Sequence, residues 1–517
     1  MRRLLATLVL LSAPALAAQS AFLNPAFGDA GVAAPGVGTT SSVLDALLDA
    51  NGGVLLAGEI DNRGGLIKLQ ADGSLDAAFG TGGSYTFVLD NRTSYLADVD
   101  LLDGGDILAT GAASNTSQTD IGLGFVARLS PTGEPRSTFG DDGLVRIFEG
   151  TGYSRPALVD AEVLSDGRIL VASSARDGEL GQIIVLFLLQ PDGSLDTTFG
   201  TDGVAIVDAL VLIDDTVLLS DGRLILSGYL PTAPDGSESD AALVAVTPTG
   251  VLDTSFGVGG VERLSLGGDF DRYREIAIDS NGRIVASGTS STTTNDVTTT
   301  EAVVARYSTA GALDATFGTN GVVRITGTNT RGGDISLLPD DRIVLVGTEN
   351  VSSVLVAQLT EAGALDETFT SGGKAAFALS DGVFGLASAI YADGDILSAG
   401  YTYTNGNLSE SSAFALRVTT GPVASEGTPG VASRLRLGVE GAHPARRVRV
   451  ALSLAEAASV RVDLYDIRGR RAATLFDGAL PVGDRTVEGP AGLAPGMYIV
   501  RALASDGSTA ALPVVVR

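Results

Sequence analysis

The sequence predicts an all-β protein: a seven-bladed β-propeller of four-stranded blades, followed by a small C-terminal β-sandwich. Three observations carry this. A phrase of the form "GSLDTTFGTDGVAIV" (193–207) recurs along the chain, with its phenylalanine at Phe27, Phe79, Phe139, Phe199, Phe256, Phe317 and Phe369. Each interval between phrases holds four short apolar runs separated by turn residues. Beyond residue 433 the repeat stops and both charge and periodicity change.

The phenylalanines are 52, 60, 60, 57, 61 and 52 residues apart, a mean of 57. After each Phe-Gly comes a short strand such as "GVVRI" (321–325). Next follow two apolar runs flanking a turn, as in "DISLLPDDRIVLVG" (334–347). A loop of variable length then leads to a fourth run, "SVLVAQL" (353–359). The turns read "SDGR" at 165 and 220, "SNGR" at 280, "PDDR" at 339 and "ADGD" at 392. Asp-Gly and Asn-Gly between apolar runs mark hairpins, because such tight turns need positive φ. Four antiparallel strands at this period describe a propeller blade. A β-helix coil is much shorter, and immunoglobulin-like domains take roughly 100 residues each.

Seven phrases delimit six complete units between Phe27 and Phe369. A seventh unit, about 370–420, lacks its closing phrase, whereas "NPAFGDAGVAA" from Asn24 has a phrase without a unit. The N-terminal segment is therefore expected to complete the last blade and remove the open sheet edge. A six- or eight-bladed ring is the alternative. Within the phrase, leucine and phenylalanine are expected to plug between blades. The aspartates (Asp76, Asp196, Asp253, Asp314, Asp366) are expected to accept bonds from amides two or three residues on. The competing reading, a calcium loop in each blade, lacks the alternating D-x-D-x-D spacing with a closing glutamate.

The recurring "DGSLDTTFGTDG" and "SDGRLILSG" resemble the delta-60 repeat of bacterial exported proteins, over roughly residues 21–420. The resemblance implies a propeller-like repeat domain and no reaction.

Residues 421–432, "GPVASEGTPGVA", read as a linker, so the propeller spans 19–420 and the second domain 433–517. From Arg434 onward there are 12 arginines against 8 acidic residues, net +4, which leaves −31 for the rest. The alternation in "RVRVALSL", "SVRVDLYDIRG" and "GMYIVRAL" predicts the strands of a small sandwich. The stretches "VRVDLYDIRGRRAATLFDG" (460–478), "GLAPGMYIVRAL" (492–503) and the final "LPVVVR" resemble the type A C-terminal sorting domain of the type IX secretion system. His443-Pro444 stands where that family usually opens with Asn-Pro. The resemblance implies type IX secretion machinery as a partner and delivery to the outer cell surface or the medium. An accessory carbohydrate- or protein-binding sandwich is the alternative.

The N-terminus "MRRLLATLVLLSAPALAAQS" joins Arg2 and Arg3 to an apolar run and the pattern Ala15-Leu16-Ala17, a secretory signal peptide over 1–18. No later stretch approaches the ~20 apolar residues of a membrane-spanning helix. The chain has 517 residues, net charge −27 and no cysteine. That charge opposes nucleic acid and anionic lipid as partners. The missing cysteine excludes disulfides, thiol catalysis, cysteine–zinc sites and a lipoprotein anchor. The single histidine, His443, has no second histidine or carboxylate cluster near it in sequence, and reads as a loop residue.

Function divides into two classes. The first is a non-enzymatic secreted or surface module that binds polysaccharide or protein. Its contacts would be the variable Thr/Ser/Asn-rich loops, such as 111–122, 228–240, 288–301 and 400–413. The second is a glycan hydrolase or lyase using paired carboxylates in the central channel, about 5–10 Å apart. The stretch "GGDFDRYRE", with Asp269, Asp271, Arg272 and Arg274, reads as a solvated strand connection. The regularity of the repeat favours the first class, so no catalytic residue, metal ligand or cofactor is assigned. A passive spacer is the third reading.

Overall fold

The computed structural model describes residues 22–420, apart from 91, 115–121, 149–158, 179–180, 210, 234–235, 371, 381 and 405–406. Beyond 420 it describes 435–439, 449–454, 457–466, 471–488, 496–504 and 509–516. The expected signal peptide, the linker and His443 lie outside the described residues. The chain divides into two compact units: the first runs to Val423 apart from two short turn segments, and the second holds Ala424–Arg517. All regular elements among the described residues are strands, so none of them is a helix long and apolar enough to cross a membrane.

Among the described residues the first unit holds five four-stranded antiparallel sheets and one eight-stranded sheet, whose two four-stranded antiparallel sets meet through a single parallel bridge between Ser239 and Phe270; each of these two sets counts as a sheet of its own. Their first strands are Ser41–Leu48, Thr93–Leu101, Val159–Val163, Leu212–Leu218, Phe270–Ile278, Arg331–Leu337 and Gly382–Ile390. In six sheets the four strands follow in chain order, as in Arg331–Leu337, Ile343–Glu349, Ser353–Leu359 and Lys374–Ala378. The last sheet takes its fourth strand, Val32–Ala33, from the other end of the chain. Val32 pairs with Leu416 and Ala33 with Ala415. Asn24 N–H donates to the Arg417 carbonyl (2.8 Å) and Thr419 N–H to the Phe22 carbonyl (2.7 Å), so the two ends of the unit are stitched over several residues.

The short strand after each Phe-Gly closes the preceding sheet rather than opening a new one. Val322–Ile325, for example, pairs with Val297–Tyr307. The variable loops consequently join the second and third strands of a sheet, not the third and fourth as the repeat unit suggests.

The repeated phrase forms an outer belt. All seven phrase phenylalanines are buried, from 0% to 6% exposed. The first six pack against the glycine that opens the next phrase: a Cβ on Gly133 would lie 3.0 Å from the Phe79 ring, and one on Gly311 3.0 Å from Phe256. Alongside, the phrase Gly80 N–H donates to the Thr132 carbonyl (2.8 Å) and Gly140 N–H to the Asp192 carbonyl (2.8 Å), each from one sheet to the next. Gly250 shows why glycine is needed: its φ is +81°, and a Cβ there would meet Phe199 at 2.6 Å and Ala205 at 2.5 Å. The belt ends where Phe22 meets Phe369, ring centroids 6.4 Å apart.

The phrase leucines divide: Leu252, Leu313 and Leu365 are partly buried against the apolar clusters that join neighbouring sheets, whereas Leu195 is not. Leu195 is 42% exposed. It bridges to Leu189 of its own sheet and lies over Gly203, so it caps a turn instead.

In the second unit, Leu435–Val439, Arg449–Leu454 and Gly483–Glu488 form a three-stranded sheet. Arg471–Leu480, Ala458–Asp466, Gly496–Ala504 and Thr509–Val516 form a four-stranded sheet in that order. Val460, Val462 and Leu464 are buried, and Val462 and Leu464 pair with the buried Ala502 and Val500, as the alternation requires.

Phe256→Ala should cost about 3–5 kcal/mol of first-unit stability, because it opens a cavity at a sheet junction. Leu195→Ala should cost well under half of that. Thermal unfolding of the two variants by calorimetry checks the contrast.

Candidate functional site

The first strands of the sheets meet around a common axis. Their acids act on one another across it: Asp45 of the first sheet feels the charge of Asp160 of the third, Asp98 of the second that of Asp215 of the fourth, and Glu275 of the fifth that of Asp45. Six sheets place an acid at one position of the first strand: Asp45, Asp98, Asp160, Asp215, Glu275 and Asp334. Each stands seven residues before the residue at the tip of the following turn; in the seventh sheet this position is Ala387. In four of these strands the register breaks beside the acid, between Val43/Asp45, Leu96/Asp98, Ile213/Asp215 and Tyr273/Glu275. In a fifth the break spans it, between Gly332 and Ile335. A bulge of this kind turns a side chain out of the sheet.

Three of the acids act as latches. Asp45 Oδ2 accepts the Val99 N–H of the next sheet (2.9 Å) and Asp215 Oδ2 accepts the Ile276 N–H (2.8 Å). Asp334 Oδ2 likewise accepts the Ser388 N–H. Asp160 breaks the pattern: Oδ1 accepts its neighbour Ala161 N–H (2.8 Å), while Oδ2 is buried with no partner among the described residues. Asp100 and Glu162 add a second acidic level two residues further along their strands.

Enclosure of so many carboxyls drives them toward the neutral form. Burial, reinforced by Asp160 and Asp45, pushes Asp100 up to about 7. Burial and the Asp45 charge push Asp334 up to about 8. Asp45 rises to about 6 through burial, held back by the Val99 and Ala46 N–H groups. Asp98, Asp215, Glu162 and Glu275 are raised well above their ordinary values, burial being the main cause. Asp45 also shares a hydrogen bond with Asp98, which places one proton between two carboxyls.

At the end of the ring where the second strands finish, the repeat is broken by residues of other kinds. The stretch "GGDFDRYRE" is not a solvated connection: it enters the fifth sheet's first strand, with Asp271 and Tyr273 fully buried. Asp271 accepts the Leu266 N–H (2.6 Å) and the Ser290 hydroxyl (2.6 Å). Asp269 accepts the Thr293 N–H (2.6 Å). Arg272 pairs with Asp214 and lies 5.2 Å from the Tyr229 ring centre. Arg274 is the bulge residue, and Arg331 holds in the sixth sheet the place that Arg272 holds in the fifth, opposite Thr348 as Arg272 is opposite Thr289. Phe384 stacks with Tyr401 (5.1 Å) and Tyr403 (5.6 Å) in the seventh sheet.

The turn aspartates of the phrase are occupied by the fold. Asp196 Oδ1 accepts the Thr198 N–H (3.1 Å) and hydroxyl (2.6 Å), and Oδ2 accepts from Arg168 (2.9 Å). Asp253 repeats this with Ser255 and Arg223, and Asp314 with Thr316 and Arg306. The hydroxyl bonds first, then the amides and arginines, hold these three carboxyls below their ordinary values. No group of three or more acidic or histidine residues among the described residues is arranged to hold a metal ion.

The family model described as "Domain of unknown function (DUF5122) beta-propeller" matches residues 50–79, 164–199 and 280–317, each a turn, two strands and the phrase of the repeat. The first unit is a β-propeller domain, and the chain is a propeller-type repeat protein. No curated protein matches it. Among solved structures it is similar to a fungal alcohol oxidase of the AA5 family in complex with copper, at 13% identity and TM-score 0.48. That match covers 94% of this chain and 98% of the other. An α-L-arabinofuranosidase from Fusarium graminearum matches at 10% identity and TM-score 0.37, over 62% and 91% of the two chains. The Nup133 β-propeller domain of Vanderwaltozyma polyspora matches at 8% identity and TM-score 0.27, over 72% and 81%. These likenesses are too distant to bear on any residue of the site.

The carboxyl shifts fix the sign of a pH effect. Ring acids with raised values contribute stability in full below about pH 4, and lose it as pH rises through about 6 to 8. The phrase aspartates, with lowered values, act oppositely and lose stability as pH falls below about 4. Thermal stability of the first unit should therefore peak in mildly acidic buffer and fall by several degrees toward pH 8. Asp100→Asn should flatten the alkaline side of that profile, as followed by circular dichroism at a series of pH values.

Proposed function

We propose that this protein is an exported, non-enzymatic binding module: a seven-bladed propeller, closed by its N-terminal strand, that presents a ligand site at one mouth of its ring. The observation that carries the reading is the break in repeat symmetry at that mouth. Elsewhere the repeat positions carry equivalent residues with structural partners. At the mouth, Arg272, Arg274, Arg331, Tyr229, Phe384 and Tyr401 occupy positions held elsewhere by residues such as Ser42, Leu44, Ala97 and Leu212. The polar second-to-third strand loops leave the sheets at the same end, as the exposed Thr292–Thr294 and Val297–Thr299 edges do in the fifth sheet.

The export reading rests on sequence. Residues 1–18 have the charge and apolar pattern of a signal peptide, and 433–517 resemble a type A sorting domain of the type IX secretion system. The two sheets of the second unit fit a sandwich carrying that signal. The type IX machinery is then the partner of the tail, and the outer cell surface or medium is the destination. The delta-60 resemblance of the first unit agrees with an exported repeat protein.

A second reading, a glycan hydrolase or lyase using channel carboxylates, draws support from the raised carboxyls of Asp98, Asp100 and Glu162 and the open Oδ2 of Asp160. Against it stand the latch bonds of Asp45, Asp215 and Asp334, which spend those carboxylates on joining sheets.

The experiment is a glycan screen on the full secreted chain, scored for both retention and release of new reducing ends. Retention without release is the expected outcome. Release that is abolished by Asp98→Asn would replace the binding reading with the enzymatic one.

A further inference from the structure

The mouth arginines are an electrostatic anomaly. In a chain with 61 acids and 34 bases, three guanidiniums are gathered on two adjacent first strands. Arg272 is neutralised by Asp214. Arg274 and Arg331 make no side-chain hydrogen bond or ion pair among the described residues, although acids are abundant nearby. Arg274 is partly buried at a bulge, and burial, with the charges of Arg272 and Arg331, makes its protonated form less favourable than usual although the Asp214 carboxylate opposes them in part. Three guanidiniums thus share the single Asp214 carboxylate, which leaves this mouth an excess of positive charge that an anionic ligand would balance.

The surroundings say what carries the anion. Tyr401 lies within electrostatic reach of Arg274, and its ring leans on Phe384. Tyr229, packed at 5.1 Å on Phe270, stands under Arg272 on the other side. Flat, partly exposed rings flanking fixed donors form the usual surface for a body that is apolar on its faces and polar at its edges. A sugar ring is such a body.

We infer that Arg274 and Arg331, supported by Arg272, bind the anionic group of an acidic saccharide, with Tyr401 and Tyr229 covering the ring of the same sugar. This rests on the binding-module reading and narrows it to a ligand class. The fork of a guanidinium suits a carboxylate or a sulfate equally, in paired charge-assisted hydrogen bonds. The acids one step deeper, Glu275 and Asp215, are held toward the neutral form and oppose the ligand little. The overall negative charge acts beyond a Debye length of about 8 Å and is screened, whereas contacts inside the mouth are not.

The test is calorimetric titration of the full secreted chain with three probes of equal length: a galacturonate oligosaccharide, a sulfated galactose oligosaccharide and the neutral galactose oligosaccharide. One or both anionic probes should bind, and the neutral probe about tenfold or more weakly, the order expected from losing a charge-assisted pair. Arg274→Gln and Arg331→Gln should each reduce anionic binding by a similar factor. Arg274→Gln should leave the melting temperature unchanged or raise it, because it removes a partly buried cation crowded by two others; a purely structural arginine would lower it. Equal binding of all three probes, unaffected by either substitution, would overturn the inference while leaving a glycan-binding module standing. Binding of none of the three, in a chain whose glycan screen is positive elsewhere, would overturn it too. A chain silent in that screen as well would remove the binding reading itself.

Discussion

The first unit depends on the joints between its sheets. A four-stranded sheet alone leaves two edges and two faces exposed, and its neighbours must cover the faces. Here the cover is held by two concentric sets of contacts. The outer set is the phrase: a buried phenylalanine under the next phrase's glycine, with a backbone N–H donated across the same gap. The inner set is the acid of the first strand, accepting an N–H from the following sheet. Between them lie the apolar clusters of consecutive sheets, such as the one joining Leu226 and Val244 of the fourth sheet to Leu186 of the third.

That construction explains a conflict built into the molecule. Using carboxylates as inner latches brings acids from six sheets to one axis, where burial and mutual repulsion raise their values. The outer turns use the same residue type to opposite effect, since Asp196, Asp253 and Asp314 meet arginines and hydroxyls near the surface. Aspartate therefore has two roles distinguished by surroundings alone. The phrase joints link only neighbouring sheets, whereas the ring acids also act on one another across the axis.

Repetition also makes exceptions visible. Ala387 replaces the acid in the seventh sheet, and Asp160 lacks the inter-sheet N–H that Asp45, Asp215 and Asp334 accept. The arginines and aromatic rings of the fourth to seventh sheets interrupt the mouth of the ring. The arginines fall on two adjacent sheets, the fifth and sixth, which is how a symmetric scaffold acquires a directional site.

Much of the architecture was legible in the residues. The period of the phrase, the four apolar runs and the displaced N-terminal phrase anticipated four-stranded sheets and the pairing of Val32–Ala33 with the last one, because strand period and turn chemistry are local properties. Asp-Gly turns and phrase aspartates likewise state their roles within a few residues. The inner ring was hidden, although an acid seven residues before each turn tip was there to be counted. A lone acid in an apolar run has no local partner, and the backbone amide it accepts from stands some 54 residues away in the case of Asp45 and Val99. The stretch with Asp269, Asp271, Arg272 and Arg274 reads in sequence as a solvated link for the same reason. What the sequence determined by itself was the repeat, its strands and its turns. Which side chains from seven distant segments face one axis was decided only by the closing of the ring, since burial and charge at that axis belong to no single unit.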